Sequence, residues 1–210
     1  GHGIEGNTAY LLRKGWKGIW LEADPRAVRS IHTHFAAELE SGQLRVVHSF
    51  VTRENAPRLL SGAHVPNEFD VLSIDVDRNT SHVWRALSAF RPRLLIIEYN
   101  ASFPASDEWE VPYDADAVWD ESSYFGASLK SLERIGAERG YVLVACERTG
   151  LNAFFVRADA AANHFPGPLT AEACYEPPRY FLTREWGHPR RWVEERLQRR
   201  STWKEGANED

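Results

Sequence analysis

The feature that most constrains the fold is an alternation between short apolar runs and segments with helical periodicity. The apolar runs are predicted strands and cover 18–21, 44–48, 69–75, 93–98, 141–146 and 152–156. Between them, apolar residues recur every three or four positions, as in amphipathic helices, over 25–42, 81–90 and 123–140. Strands that alternate with helices are typical of α/β folds, because a helix usually connects two parallel strands.

Residues typical of helix ends stand at the boundaries of the predicted helices. Asp24 is predicted to cap the helix that follows it, and Pro25 suits the first helical position because that position needs no N–H donor. Gly42 and Gly140 are predicted to end the helices that precede them. A shorter helix is expected over 7–14.

The last two predicted strands are expected to pair differently from the others. Only a short turn containing Gly150 separates 141–146 from 152–156, which predicts an antiparallel hairpin. The nearly uniform apolar run at 93–98 indicates a strand covered on both faces. We therefore expect an α/β fold with a doubly wound, mostly parallel sheet that ends in a C-terminal antiparallel hairpin.

The predicted sheet and its helices end at 157, which divides the chain into two expected parts. Residues 1–157 would form the sheet domain. Residues 158–210 would form a C-terminal extension, with a loop and a final helix over 190–200 that acts as a lid or a self-contact. A self-contact of this kind would make the protein a homo-oligomer.

Composition and charge exclude several classes of protein. Of the 210 residues, 43% are hydrophobic and 26% are charged, which is typical of a chain with a folded core. The net charge of -5 argues against a nucleic-acid partner, since proteins that bind phosphates usually carry a basic surplus. No run approaches the ~18 apolar residues of a membrane span, and no signal peptide is recognisable. With only Cys146 and Cys174, a disulfide framework is not expected, so we predict a cytoplasmic protein without a membrane partner.

A glycine cluster at the start of the chain matches a nucleotide-binding pattern. Gly1, Gly3 and Gly6 fit G-x-G-x-x-G ahead of a helix, where backbone amides can approach a ligand. Glu22 stands 19 residues after Gly3, where such sheets place a carboxylate for ribose hydroxyls. Alternatively, the glycines only form a turn and Glu22 only faces solvent. The strand that should precede the loop is missing and the sequence contains no Met, so we expect upstream residues in the natural protein.

Polar residues also follow the predicted strands at 69–75 and 93–98. Asp75 ends the first of these strands and Asp77 follows it, while Glu98 ends the second and Asn100 follows it. Ligands in open α/β sheets bind outside the carboxyl ends of the strands. Carboxylates there can hold a cation, accept a proton or bind a divalent ion. In the alternative interpretation, the two aspartates only cap the helix that follows.

His82 is a further candidate for acid–base chemistry. It stands in the first turn of the helix after Asp77, and its imidazole titrates near neutral pH. A purely structural role is the alternative for this residue.

These residues, in this order, resemble the class I, Rossmann-like S-adenosylmethionine-dependent methyltransferases. The stretch 3–157 is similar to the bacterial FkbM-like branch, which has segments like Gly-Ile-Glu-Gly-Asn-Thr, Ser-Ile-Asp-Val-Asp and Ile-Ile-Glu-Tyr-Asn. The resemblance implies a Rossmann-like methyltransferase fold whose first strand is absent from this chain. The terminal hairpin distinguishes this family from dinucleotide dehydrogenases, whose sheets usually stay parallel.

The resemblance also implies roles for single residues. Gly1 and Gly3 would contact the methionine part of S-adenosylmethionine, and Glu22 would bind the ribose hydroxyls. Ser49 and Phe50, directly after the strand at 44–48, would flank the adenine.

The resemblance also implies which residues take part in methyl transfer, and they stand at the ends of the predicted strands 69–75 and 93–98 or shortly after them. Asp75 would lie beside the sulfonium and the methyl group, and Asp75, Asp77 or His82 would accept the proton of the methyl acceptor. Some relatives in the wider class hold magnesium, and Asp75 with Glu98 and Asn100 resembles their ligand set.

The expected function is therefore O-methylation of a small molecule or a glycan, without nucleic acid as a partner. One alternative is an NAD-dependent oxidoreductase on a similar sheet. Another is a non-catalytic module that binds the cofactor or serves assembly. This module is motivated by His2 and Arg78, which stand where the resemblance implies an acidic and a small residue, and by the Trp-rich segment 180–203.

Overall fold

A computed structural model describes residues 7–162, 164–165 and 169–179. It has a mixed α/β architecture with parallel and antiparallel strands, and it is not a barrel. The strands are β1 (Gly18–Glu22), β2 (Leu44–His48), β3 (Glu68–Ile74), β4 (Arg91–Glu98), β5 (Tyr141–Cys146) and β6 (Asn152–Arg157). The helices are α1 (Ala9–Arg13), α2 (Pro25–His34), α3 (Ala36–Glu40), α4 (Ala56–Gly62), α5 (Thr80–Ala86), α6 (Leu129–Glu138), α7 (Ala158–Ala161) and α8 (Ala171–Cys174).

The strands of the described residues belong to two sheets, whereas the sequence predicts one. β1 pairs with β2 in parallel, and the second sheet has the order β3-β4-β6-β5. Every residue of β1 is half-buried, because β2 is its one hydrogen-bonded neighbour among the described strands. By contrast, 95–97 in β4 are buried, as expected for a strand covered on both faces.

The predicted start of α2 is confirmed, but its predicted length is wrong. Asp24 accepts a hydrogen bond from the backbone N of Arg26 at 2.8 Å, and Pro25 occupies the first helical position. Phe35 leaves the helical conformation with φ of −122°, which divides the predicted helix 25–42 into α2 and α3. Its ring is buried and packs edge-to-face on Trp20, with ring centroids 4.9 Å apart, so tertiary packing accompanies the break.

The predicted hairpin is confirmed. β5 and β6 are antiparallel, with Tyr141 opposite Arg157 and Cys146 opposite Ala153. Gly150 has φ of 76° in the turn, a conformation that glycine adopts without steric cost.

α6 begins later than the sequence predicts. Ser128 caps it by accepting a hydrogen bond from the backbone N of Ser131, and the residues before Ser128 form a loop. Leu129, Leu132 and Ile135 of this helix are buried. The predicted helix at 190–200 lies outside the described residues.

The chain divides into two compact units. The first consists of Gly1–Ile74 and His82–Ile96, and the second consists of Asp75–Ser81 and Ile97–Asp210. Within the second unit, α7 and α8 pack against the β5–β6 hairpin. The predicted domain boundary after 157 is not tested by this division and stays a prediction. In the described part of the chain, no helix is long and apolar enough to cross a membrane.

Candidate functional site

The carboxyl ends of β1 and β2 form one edge in the first unit. The two strands are parallel and Glu22 lies opposite His48, so both strands end together. The backbone N of Ser49 donates to the carbonyl O of Glu22 at 2.9 Å. The structure therefore brings together Glu22, Ser49 and Phe50, which the sequence predicts as ligands of the ribose and the adenine.

Phe50 presents an aromatic ring on a loop whose backbone is held in place. Its side chain is 45% exposed, whereas its carbonyl O accepts a hydrogen bond from Nδ2 of Asn55 at 2.9 Å. Oδ1 of the same asparagine accepts from the backbone N of Thr52 at 2.8 Å. An exposed aromatic ring on a backbone held in this way offers a stacking surface to a planar ligand.

The carboxylate of Glu22 is oriented by a local hydrogen bond. Its Oε1 accepts from the backbone N of Asp24 at 2.9 Å. The chain beyond β1 is also tied to β2, since Nε2 of His48 lies 3.1 Å from the carbonyl O of Ala23. The sequence predicts neither contact, because no sequence motif links the two residues of either pair.

A second group of acidic residues lies in the second unit, at Asp75, Asp77 and Glu98. Asp75 and Asp77 are exposed, and Asp77 has φ of 53°, a left-handed conformation that aspartate tolerates better than most residues. Thr80 donates from Oγ1 to the carbonyl O of Asp77 at 3.4 Å. The backbone of Asp77 thus forms part of the turn that leads into α5.

Glu98 ends β4 with a buried carboxyl group. Its Oε2 is shielded from solvent and has no hydrogen-bond partner among the residues that the structure describes. Burial raises the pKa of this carboxyl well above its ordinary value, and the negative charges of Asp75 and then Asp77 raise it further. A carboxyl with a raised pKa can hold a proton and exchange it at higher pH than a solvated one, which suits acid–base chemistry.

Asn100 has a structural role in the same unit. It is fully buried, and its Nδ2 donates to the carbonyl O atoms of Ser123 and Phe125 at 2.7 and 2.9 Å. Its Oδ1 accepts from the backbone N of Ser102 at 3.1 Å. The amide therefore holds the loop before α6 against the chain that follows β4.

The predicted magnesium site gains no support from these contacts. Among the described residues, no group of three or more histidine, cysteine, aspartate or glutamate side chains could hold a metal ion. Binding of magnesium by Asp75, Glu98 and Asn100 stays a prediction.

Two other parts of the predicted site are not tested by these contacts. His82 is half-buried and belongs to the first unit, whereas Asp75 and Asp77 belong to the second. Gly1 and Gly3 lie outside the described residues. Their predicted roles stay predictions.

The acidic segment 75–81 is joined to the aromatic loop that follows β4. Asn79 donates from Nδ2 to the carbonyl O of Asp114 at 2.8 Å, and Ser81 donates from Oγ to Oε1 of Glu110 at 2.8 Å. These contacts link residues about thirty positions apart, so the sequence could not reveal them.

The aromatic residues of that loop pack on one another. Phe103 and Trp109 stack with centroids 4.3 Å apart, and Trp109 meets Tyr124 edge-to-face at 5.5 Å. The guanidinium of Arg78 lies 5.3 Å from the centre of the Tyr124 ring. Arg78 thus contacts an aromatic ring in the fold. The sequence did not predict this contact and showed only that an arginine stands where the resemblance implies a small residue.

Comparison of the chain with protein-family models, with curated proteins and with solved structures finds no match.

Proposed function

We propose that this chain is a Rossmann-like, S-adenosylmethionine-dependent methyltransferase that methylates an oxygen atom of a small molecule or a glycan. The observation that carries the proposal is the edge formed by β1 and β2. There an oriented carboxylate, Glu22, and an exposed aromatic ring, Phe50, follow two paired parallel strands.

This edge has the chemistry that an adenosine group requires. The two ribose hydroxyls are hydrogen-bond donors, and the carboxylate of Glu22 can accept from both. Adenine is planar, and the ring of Phe50 can stack on it. Ser49 adds a hydroxyl, which donates to the carbonyl O of Phe50 at 3.2 Å, and its backbone N donates to the carbonyl O of Glu22 at 2.9 Å. The same edge would also suit the adenosine of NAD.

The hairpin supports a methyltransferase over an NAD-dependent oxidoreductase. A dinucleotide dehydrogenase of the kind considered above would continue with parallel strands, whereas β5 and β6 are antiparallel. The cofactor would supply an already activated methyl group, so the chain has to position the acceptor and receive its proton.

We propose Asp75, Asp77 or His82 as the residue that receives this proton. Glu98 is not proposed for this role, because burial and then the charges of Asp75 and Asp77 raise the pKa of its carboxyl and favour its protonated form. In this proposal Asn100 positions the loop before α6 and does not touch the substrate.

The test is calorimetric titration of the chain with S-adenosylmethionine, using Glu22→Gln as the decisive variant. Glutamine keeps an oxygen that can accept from the backbone N of Asp24, but it removes the charge from the hydrogen bonds to ribose. We expect affinity to fall by about 1–2 kcal/mol, which is about 5- to 30-fold. Glu40→Gln, at the exposed end of α3, changes the net charge equally and serves as the control.

Equal affinities of the wild type and Glu22→Gln would refute the ribose assignment, and no binding at all would refute the proposal. Binding of NAD in place of S-adenosylmethionine would favour the oxidoreductase. Binding without turnover over a broad panel of acceptors would favour a non-catalytic module.

A further inference from the structure

The segment 169–179 lies along the β5–β6 hairpin and is fixed at both ends. At its start, the backbone N of Leu169 donates to the carbonyl O of Leu143 in β5 at 3.0 Å. At its end, the backbone N of Arg179 donates to the carbonyl O of Thr149 in the hairpin turn at 2.8 Å. The segment therefore follows β5 from its middle towards the turn.

Tyrosine contacts fix the middle of this segment. Tyr175 donates from its hydroxyl to the carbonyl O of Ala101 at 2.6 Å, and Tyr99 donates to the carbonyl O of Glu176 at 2.7 Å. The rings of Tyr99 and Tyr175 meet edge-to-face with centroids 6.4 Å apart. These contacts set the position of Cys174, the last residue of α8, which packs on β5.

Cys174 is thereby brought to Cys146, the last residue of β5. α8 contacts β5, and the thiols of Cys146 and Cys174 influence each other's ionisation, with Tyr99 as a further neighbour of Cys146. Both cysteines are free thiols, and both are half-buried. The sequence did not predict this pair, because 28 residues separate its members.

A hydrogen bond from Cys146 to the thiolate of Cys174 shifts the pKa values of the two thiols in opposite directions. It lowers the pKa of Cys174, whose thiolate can accept the bond, and it raises the pKa of Cys146, which burial raises as well. The negative charge of Glu176 faces both thiols and disfavours their ionisation. Cys174 is therefore the thiol that ionises first and the better initial nucleophile.

We propose that Cys146 and Cys174 form a redox-active dithiol, which a small disulfide such as oxidised glutathione converts into an intramolecular disulfide between β5 and α8. The thiolate of Cys174 attacks one sulfur of the oxidant, forms a mixed disulfide and releases one reduced glutathione. Cys146 then loses its proton to solvent and displaces the second glutathione from Cys174. The protein loses two electrons and two protons, and the glutathione disulfide gains them.

The bond covalently ties the segment 169–179 to the end of β5. Because Tyr175 adjoins Cys174 and contacts Ala101, the tie also fixes the contact between this segment and the chain after β4. Reduction leaves the segment held only by its hydrogen bonds and packing. This inference does not depend on the proposed methyltransferase function.

The test is equilibration of the whole folded chain in buffers with increasing ratios of oxidised to reduced glutathione, followed by acid quenching and mass spectrometry. We expect monomers that have lost two hydrogen atoms and yield a peptide linking Cys146 to Cys174, and we expect dithiothreitol to restore the free thiols. In Cys146→Ser, a single glutathione adduct should accumulate on Cys174. In Cys174→Ser, the adduct on Cys146 should form several-fold more slowly.

Circular dichroism of each variant shows whether it is folded before its adducts are compared. The proposal is overturned if the wild type keeps both thiols free or holds only mixed adducts at every ratio. It is also overturned if the linked peptide comes only from covalent dimers or forms only after unfolding in urea.

Discussion

Replacement of Asn100 tests whether this residue holds the loop before α6. Its side chain makes three hydrogen bonds, two as a donor to the carbonyl O atoms of Ser123 and Phe125 and one as an acceptor from the N of Ser102. Each bond contributes a net ~1 kcal/mol, and each buried carbonyl left without a donor adds to the loss. We therefore expect Asn100→Ala to lower the free energy of unfolding by about 3–5 kcal/mol.

The assay is urea unfolding followed by tryptophan fluorescence and circular dichroism. Asn100→Asp keeps the size of the side chain but removes both donors at neutral pH, so it should destabilise the protein at least as much as Asn100→Ala. Asn67→Ala, at an exposed asparagine, is the control and should change stability by less than about 0.5 kcal/mol.

The two roles considered for Asn100 give opposite results in this assay. A structural residue destabilises the protein when it is replaced in buffer without magnesium. A metal ligand that is not needed for the fold leaves the magnesium-free stability nearly unchanged, and its loss shows only when magnesium is added. A loss below about 1 kcal/mol for Asn100→Ala without magnesium would refute our reasoning.

Two further predictions concern the hairpin turn and the buried carboxyl. A Cβ at Gly150 would lie 2.6 Å from the carbonyl O of Pro177, whereas Gly140 has a similar φ and open space around it. In urea unfolding, Gly150→Ala should therefore destabilise the protein by about 1–3 kcal/mol more than Gly140→Ala. Equal losses for the two variants would contradict this contact. The pKa of Glu98 is raised in the folded state, so the folded protein keeps a proton that the unfolded protein loses above the ordinary pKa of 4.5. The free energy of unfolding of the wild type should therefore fall as the pH rises from 4.5 through the pKa of the folded state. The measurement is unfolding at a series of pH values. Over that range Glu98→Gln should gain stability relative to the wild type, whereas Glu40→Gln should show no such trend. Parallel curves for Glu98→Gln and the wild type would contradict the burial of the charge.

Local signals were sufficient to predict several parts of the fold. Asp24 and Pro25 define the start of α2 through the hydrogen bonding of its first turn, and the short turn at Gly150 defines the antiparallel hairpin. Glu22 and Phe50 lie at one edge because the ends of two parallel strands in register meet, whereas their roles as cofactor ligands stay predictions.

Features that depend on long-range packing could not be predicted. Phe35 breaks a helix whose periodicity continues through it, and its ring packs on Trp20 in the preceding strand. Asn100 resembles a ligand in the sequence, since the carbonyl groups that occupy its amide lie more than twenty residues away. The nearness of Cys146 and Cys174 likewise depends on how the segment 169–179 packs.

The measurement that tests the central proposal most directly is a crystal structure of the chain with S-adenosylhomocysteine, the product form of the cofactor. We expect the ribose hydroxyls within hydrogen-bond distance of the carboxylate of Glu22 and the adenine stacked on the ring of Phe50. A ligand bound elsewhere, with the edge of β1 and β2 occupied only by water, would contradict the proposal.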